Sequence, residues 1–333
     1  MACVGWLRSR QEKQEIAFWL SYAYDTKDKS LSNRLYLLYL IIFFSIWWFI
    51  VLVLFAEFGA KILNYLTPED PIYAALILEV LVFALWWLVS SLRAIWRSPV
   101  VFTEEDAYLI CQMPIKPKNI VLRWLFLPWI KSLLPIALIS ATIGFSLAEI
   151  VFLPVEFSSE MFVNYLGYGF QILLVITPIH FTLFSLVWVI GIWSLNYKRR
   201  VVHVVGLIIC SLLLSLILIS VVISSITENV SLPLGALSGW IQDIFLAGLG
   251  RGEWVRTFLW ILLFALASQL ILAMVSTRFS PSRSAQETKF GAMVRSMARY
   301  GLLSQAKEMK QMKRLRSRER TFWNPSWEGE RAL

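Results

Sequence analysis

Six stretches of this chain stay apolar for about 20 residues or more, long enough to cross a bilayer. They run over 36–56, 72–95, 124–148, 168–195, 201–226 and 255–275. A helix rising about 1.5 Å per residue needs this length for a hydrocarbon layer of ~30 Å. Inside lipid no water satisfies backbone N–H and C=O groups, so the segment must satisfy its own, and long apolar runs imply helices. The stretches are apolar on every side, unlike the one-sided stripe of a surface helix. Pro128, Pro135 and Pro178 fall within them, which membrane helices tolerate better than soluble ones. Composition agrees. The 333 residues are 58% hydrophobic and 16% charged, with 16 Trp, where soluble domains carry about 25% charged residues. This argues against a water-soluble enzyme, a disordered chain or a disulfide-stapled secreted domain. The expected fold is all-α, a polytopic membrane protein with six transmembrane helices.

Cations orient those helices. The arm before the first stretch carries six, the 96–123 loop four, the Lys198-Arg199-Arg200 turn three and the tail from residue 276 thirteen. Arg93 adds one at the same end of the second stretch, while the opposite side has only Lys61, Arg251 and Arg256. The positive-inside rule then predicts cytoplasmic N- and C-termini in the cell's inner (cytoplasmic) membrane. The expected organisation is an N-terminal arm over 1–35, a transmembrane domain over 36–275 and a basic cytoplasmic tail over 276–333. The net charge of +9 is assigned to the inner leaflet or a partner, not to nucleic acid, because no nucleic-acid reader motif is present. The N-terminus lacks an apolar run before a cleavage site, so no removable signal peptide is expected. Cys3, Cys111 and Cys210 are scattered and read as isolated reduced thiols.

Three segments are neither span nor plain loop. Residues 15–24, EIAFWLSYAY, are apolar and aromatic between charges, and predict a helix lying in the cytoplasmic interface. In the 96–123 loop, Thr103 precedes Glu104, Glu105 and Asp106, an N-cap followed by acids that suit the helix dipole. A short helix over 104–112 is expected to stop before Met113-Pro114. It can press on a soluble partner or lie at the interface without one. In 232–249, Leu237, Trp240, Ile241, Ile244 and Phe245 form a one-sided stripe, which predicts an external interfacial or re-entrant helix that does not cross.

Catalytic signatures are absent. The sequence has no GxxxxGK[ST] to cradle nucleotide phosphates and no HExxH, GxSxG or paired histidines at ligand spacing. No cofactor or metal site is expected in this chain. Glu79 lies within the second stretch, where an acid is costly unless paired, protonated or facing water, so it is a functional candidate. The alternative is a shallow glutamate near the outer interface, paired across helices or hydrated. His180 lies mid-stretch after Thr177-Pro178 and reads as a packing residue or, with Glu79, as half of an acid–base pair. Gln171 and Gln269 are candidates for hydrogen bonds between helices, and Lys131 stands near enough to the inner face to snorkel.

Three segments together carry a resemblance: Leu31-Ser-Asn-Arg-Leu-Tyr-Leu-Leu-Tyr-Leu40, the Ser98-Pro…Phe102…Asp106…Leu109…Pro114 run, and Leu232-Pro…Trp240…Gly252. The order of these features resembles the permease subunit of ABC-2-like exporters over about residues 30–275. The resemblance implies that Phe102, Glu104, Glu105, Asp106, Tyr108, Leu109 and Pro114 belong to a cytoplasmic coupling helix seated in a separate ABC ATPase subunit, which would hold the ATP and Mg. It implies a connecting helix at 15–24 and external helices at 232–249. It also implies pairing with a second permease copy or half, because such permeases work as pairs of six-span units. The ending Trp327-Glu-Gly-Glu-Arg-Ala-Leu333 resembles the start of a further permease segment. The implied function is export of a hydrophobic or amphipathic substrate. A non-transporting scaffold or regulator with the same architecture is the alternative, and an intramembrane enzyme a weaker one.

Overall fold

The computed structural model describes residues 9, 10, 12, 13, 17, 30–66, 70–102, 110, 115–152, 159–196, 205, 206, 243–251, 253–286, 290 and 293. All regular secondary structure among the described residues is helical. Among the described residues there are five long helices: α1 (Leu31–Leu66), α2 (Pro71–Trp96), α3 (Pro117–Phe152), α4 (Ser159–Asn196) and α5 (Trp254–Ser276). Each contains a segment long and apolar enough to cross a membrane, as expected of a multi-pass membrane protein. The stretch expected at 201–226 lies outside the described residues except for Val205 and Gly206, which are helical. Residues 15–24 likewise lie outside them, apart from Ala17.

The helices outrun the apolar stretches because capping, not hydropathy, sets their ends. α1 starts at Leu31, where Ser30 accepts the Asn33 N–H on its hydroxyl at 3.2 Å and the Arg34 N–H on its carbonyl at 3.2 Å. α2 starts behind Asp70, whose side chain accepts from Tyr73 N, with Pro71 at the first helical position. α3 likewise opens on a proline, Pro117. Its 36 residues span about 54 Å, well beyond a ~30 Å hydrocarbon layer. The excess extends past the lipid or is taken up by tilt.

The chain forms two compact units. One comprises Met1–Pro99 with Ile115–Phe279, the other Val100–Pro114 with Ser280–Leu333. Within the second, Ser284, in a helical segment over 281–286, donates to the Val100 carbonyl at 2.7 Å. Phe102 and Ile110 are buried.

The first unit holds the five-helix bundle. α3 packs most extensively against α4 and then α1, and α4 also carries α5 and α2. Its main apolar cluster joins Leu76, Val80 and Phe83 of α2 to Ile136, Ile143 and Leu147 of α3 and Ile172 and Ile176 of α4. Phe245 and Leu249 enter the same cluster, so the helical segment over 243–248 is embedded in the bundle rather than lying on it. That segment ends in a Schellman turn. Arg251 N donates to Leu246 O at 2.8 Å and Gly250 N to Ala247 O at 3.2 Å, with Gly250 at φ 87°. Small residues allow the closest helix contacts. Gly59 of α1 lies against Ser146 of α3 with no room for a side chain, and Gly144 of α3 faces Gly169 of α4. α1 buries only Ala56, Ala60 and Leu63, a stripe at helical spacing. Tyr39, Phe43, Trp47 and Phe55 stay exposed, a surface that suits lipid.

Asp70 has two jobs at one end of the bundle. Besides capping α2, its carboxylate pairs with Arg251 at 2.6 Å. Asp70→Ala is expected to cost about 1 kcal/mol through the lost cap. The half-exposed ion pair adds less than about 1 kcal/mol. Asp70→Asn keeps the cap and should unfold close to wild type. Unfolding of both variants in detergent separates the terms, and equal losses would contradict the capping role.

Candidate functional site

Polar side chains within the bundle form separate rungs between helices. On α2, Glu79 is 1% exposed. Ser140 of α3 donates to its Oε2 at 3.0 Å, while Oε1 has no hydrogen-bond partner among the described residues. Seven residues further along α2, Trp86 Nε1 donates to Ser132 Oγ at 3.2 Å. Ser132 also contacts His180 Nε2 of α4 at 3.3 Å. The partner on α3 thus steps back eight residues while α2 advances seven, the mark of an antiparallel pair in nearly constant register. His180 is fully buried, with its ring 4.3 Å from that of Trp86. Two further rungs tie neighbouring elements. Gln269 of α5 donates to Ser185 of α4 at 2.6 Å, and Gln171 of α4 donates to the Ala247 carbonyl at 3.1 Å.

These positions follow from local sequence. Leaving a polar group unsatisfied in lipid is expensive, so short hydroxyl side chains either bond back to their own helix or reach across to a neighbour. Ser185 does both, donating to Phe181 O at 2.8 Å while accepting from Gln269.

An open cleft of about 670 Å³ lies between α2 and α3. α2 contributes Leu85, Trp86, Val89, Ser90 and Arg93, and α3 contributes Leu127, Pro128, Lys131, Ser132 and Pro135. Each set follows the same i, i+1, i+4, i+5, i+8 spacing, one face of a helix. Two of the lining residues, Pro128 and Pro135, lie inside α3, where each proline removes a backbone donor from the helix. Among the described residues the lining includes the cations Arg93 and Lys131. The Trp86–Ser132–His180 rung forms its back wall, with Trp86 and Ser132 at the surface of the cleft and His180 behind them.

Nearer the other end of α2, two cations have acidic partners. Lys61 binds Glu57 at 2.9 Å and Arg251 binds Asp70 at 2.6 Å.

Of the residues singled out in the sequence, Glu79, His180, Gln171 and Gln269 all lie in the bundle, but on different rungs. Glu79 is buried and bonded across helices, not a hydrated residue at a surface. Glu79 and His180 engage serines eight residues apart on α3, about 12 Å of helix rise. That separation does not make them one acid–base pair. Phe102 is buried. Glu104, Glu105, Asp106, Tyr108, Leu109 and Pro114 lie outside the described residues. Sequence reasoning missed Ser132, Ser140, Ser185 and Trp86, and did not join Arg93 to Lys131. A serine in an apolar run carries little signal until its partner is known. Comparison with protein-family models, characterised proteins and solved structures found no match for this chain.

Proposed function

We propose that the protein is the transmembrane permease subunit of an ATP-binding-cassette exporter, with six helices crossing the membrane. On this reading a separate ATPase supplies the energy and the substrate is hydrophobic or amphipathic. The observation that carries the reading is the bundle itself. It joins apolar helices through a few isolated polar rungs and opens an amphipathic cleft between α2 and α3. Such a bundle can rearrange between two packings without exposing charge to lipid. The proline-bearing stretch of α3 beside the cleft is a natural place for α2 and α3 to part. The segment around Phe102–Pro114 would carry the push from the ATPase, through Phe102, Glu104, Glu105, Asp106, Tyr108, Leu109 and Pro114. ATP and Mg would sit in the partner, and a second permease copy or half would complete the assembly. Both termini would face the cytoplasm. An enzyme using Glu79 and His180 together has no support in their separation.

The test is affinity purification of the full-length protein from its native membrane, with identification of what accompanies it. A protein bearing GxxxxGK[ST] is expected to co-purify. Deleting 104–112, or replacing Asp106 or Tyr108, should abolish that association while membrane insertion stays intact. An undiminished ATPase yield from the deletion would remove the coupling role. The absence of any ATPase from the wild-type preparation would favour a scaffold.

A further inference from the structure

We infer that the start of the tail, residues 280–286, is a strap that holds the segment leading out of α2, with Ser284 as its positioning residue. On the exporter reading above, the strap sets how the segment around Phe102–Pro114 is presented to the ATPase. That consequence for coupling rests on the exporter reading; the strap itself does not.

The strap is built from the sequence upward. α5 ends at Ser276. After three intervening residues, Ser280-Pro281 opens a new helical segment over 281–286. Ser280 takes the capping position and Pro281 the first helical one, an order that starts a helix locally. The Ser280 hydroxyl accepts from Arg283 N at 3.5 Å, and its carbonyl accepts from Ser284 N at 3.2 Å. The cap therefore fixes which face Ser284 occupies. Ser282, Arg283 and Gln286 are exposed and Pro281 and Ala285 half-buried, while Ser284 is fully buried. One face of the segment is turned inward, and a hydroxyl stands in it.

That hydroxyl meets main chain. Ser284 Oγ donates to the Val100 carbonyl at 2.7 Å, across 184 residues of sequence. Val100 and Phe102 are buried while Val101 between them is exposed, the alternation of an extended segment. An extended segment cannot bond within itself as a helix does, so its course is set by what it is tied to. Because the acceptor is a carbonyl, the bond fixes the path of the backbone rather than one side chain. Val100–Pro114 and Ser280–Leu333 belong to one compact unit, so the tail and the proposed coupling segment are parts of a single structure.

The test is hydroxyl-radical footprinting of the full-length protein in detergent, read by mass spectrometry, beside the yield of ATPase co-purified from native membranes. Phe102 is 2% exposed and Val101 59% exposed, so the wild type should oxidise at Val101 and be protected at Phe102. Ser284→Ala removes the donor, and Ser284→Asp sets a carboxylate against the carbonyl. Each should raise Phe102 oxidation by about tenfold, the scale of one buried hydrogen bond. Ser284→Thr keeps the hydroxyl and should keep the protection. Gln286→Ala, on the exposed face, should leave it unchanged. Phe145 and Phe245, buried in the bundle, should stay protected in every variant, which separates a loosened strap from an unfolded protein. The ATPase yield should fall in Ser284→Ala and Ser284→Asp and hold in Ser284→Thr.

Protection of Phe102 in both Ser284→Ala and Ser284→Asp, or its equal loss in Gln286→Ala, overturns the strap. Loss of protection at Phe145 and Phe245 together with Phe102 also overturns it, because Ser284 would then serve the fold at large. An oxidised Phe102 beside an undiminished ATPase yield overturns the positioning role in coupling. Failure of the exporter reading looks different: no ATPase accompanies even the wild type, while Phe102 still answers to Ser284.

Discussion

Gly144→Leu is expected to destabilise the bundle by about 3 kcal/mol, near the upper end for overpacking a closed interface. A side chain at Gly144 would begin 2.9 Å from Ile172 Cδ1, 3.2 Å from the Tyr168 carbonyl oxygen and 3.4 Å from Gly169 Cα. The isoleucine methyl can swing away. The other two atoms are backbone of α4 and cannot move without parting α3 from α4, the most extensive helix contact in the bundle. The control lies on α4 itself. Gly167 has nothing within 4 Å of where its side chain would grow, so Gly167→Leu should be neutral or slightly stabilising, because Leu favours helix over Gly by nearly 1 kcal/mol. Gly144→Ala should fall between, at about 1 kcal/mol. Unfolding midpoints of the full-length variants in detergent give the ordering. Similar losses from Gly144→Leu and Gly167→Leu would show that the close approach of α3 and α4 is not what these glycines permit.

The same pair of helices shows what the sequence made legible. Hydropathy located α3 because lipid demands an unbroken apolar run, but it started the stretch at 124, seven residues late. Lys118, Asn119 and Arg123 lower the local hydropathy, yet they sit in the helix as readily as any residue. Helix continuity depends on backbone hydrogen bonds, which polar side chains outside the lipid do not interrupt. α4 repeats the lesson, beginning at Ser159 where hydropathy placed it at 168. The rungs were half legible. Glu79, His180 and the two glutamines stand out because a polar group in an apolar run demands explanation. Their partners are ordinary serines or a main-chain carbonyl, and no local pattern marks them.

The cleft was not legible. Arg93 and Lys131 are 38 residues apart, and they share a surface only because α2 and α3 run antiparallel. Arg93 read as a topology signal and Lys131 as a snorkelling residue, and both readings concern one helix at a time. On the proposed exporter reading, isolated rungs suit the bundle better than a continuous network. A continuous polar network would hold α2, α3 and α4 in one packing, whereas separate bonds can exchange singly. Membrane hydrogen bonds average only about 0.6 kcal/mol in measured cycles, so breaking one rung is within reach of a partner's binding energy.

Trp86→Ala is expected to be the most damaging single change at the cleft, costing about 4 kcal/mol, in the range for truncating a large aromatic. It removes the wall, the ring contact to His180 at 4.3 Å and the donor to Ser132 at 3.2 Å. Trp86→Phe separates packing from bonding. The ring stays, the N–H goes, and the expected cost is about 1 kcal/mol. Ser132→Ala is the more informative partner change. It leaves the Trp86 N–H and His180 Nε2 both without the oxygen they share, at about 1–3 kcal/mol. The asymmetry lies in what is left behind: one lost donor leaves the serine its histidine contact, whereas one lost serine strands two rings. Combining Trp86→Phe with Ser132→Ala should therefore be less damaging than the sum of the two, by about 0.6–1.7 kcal/mol, the span of measured membrane cycles. Unfolding of the four proteins in one detergent yields the coupling directly. Strict additivity would mean that the indole and the hydroxyl merely lie near one another, and the back wall of the cleft would then be held by packing alone.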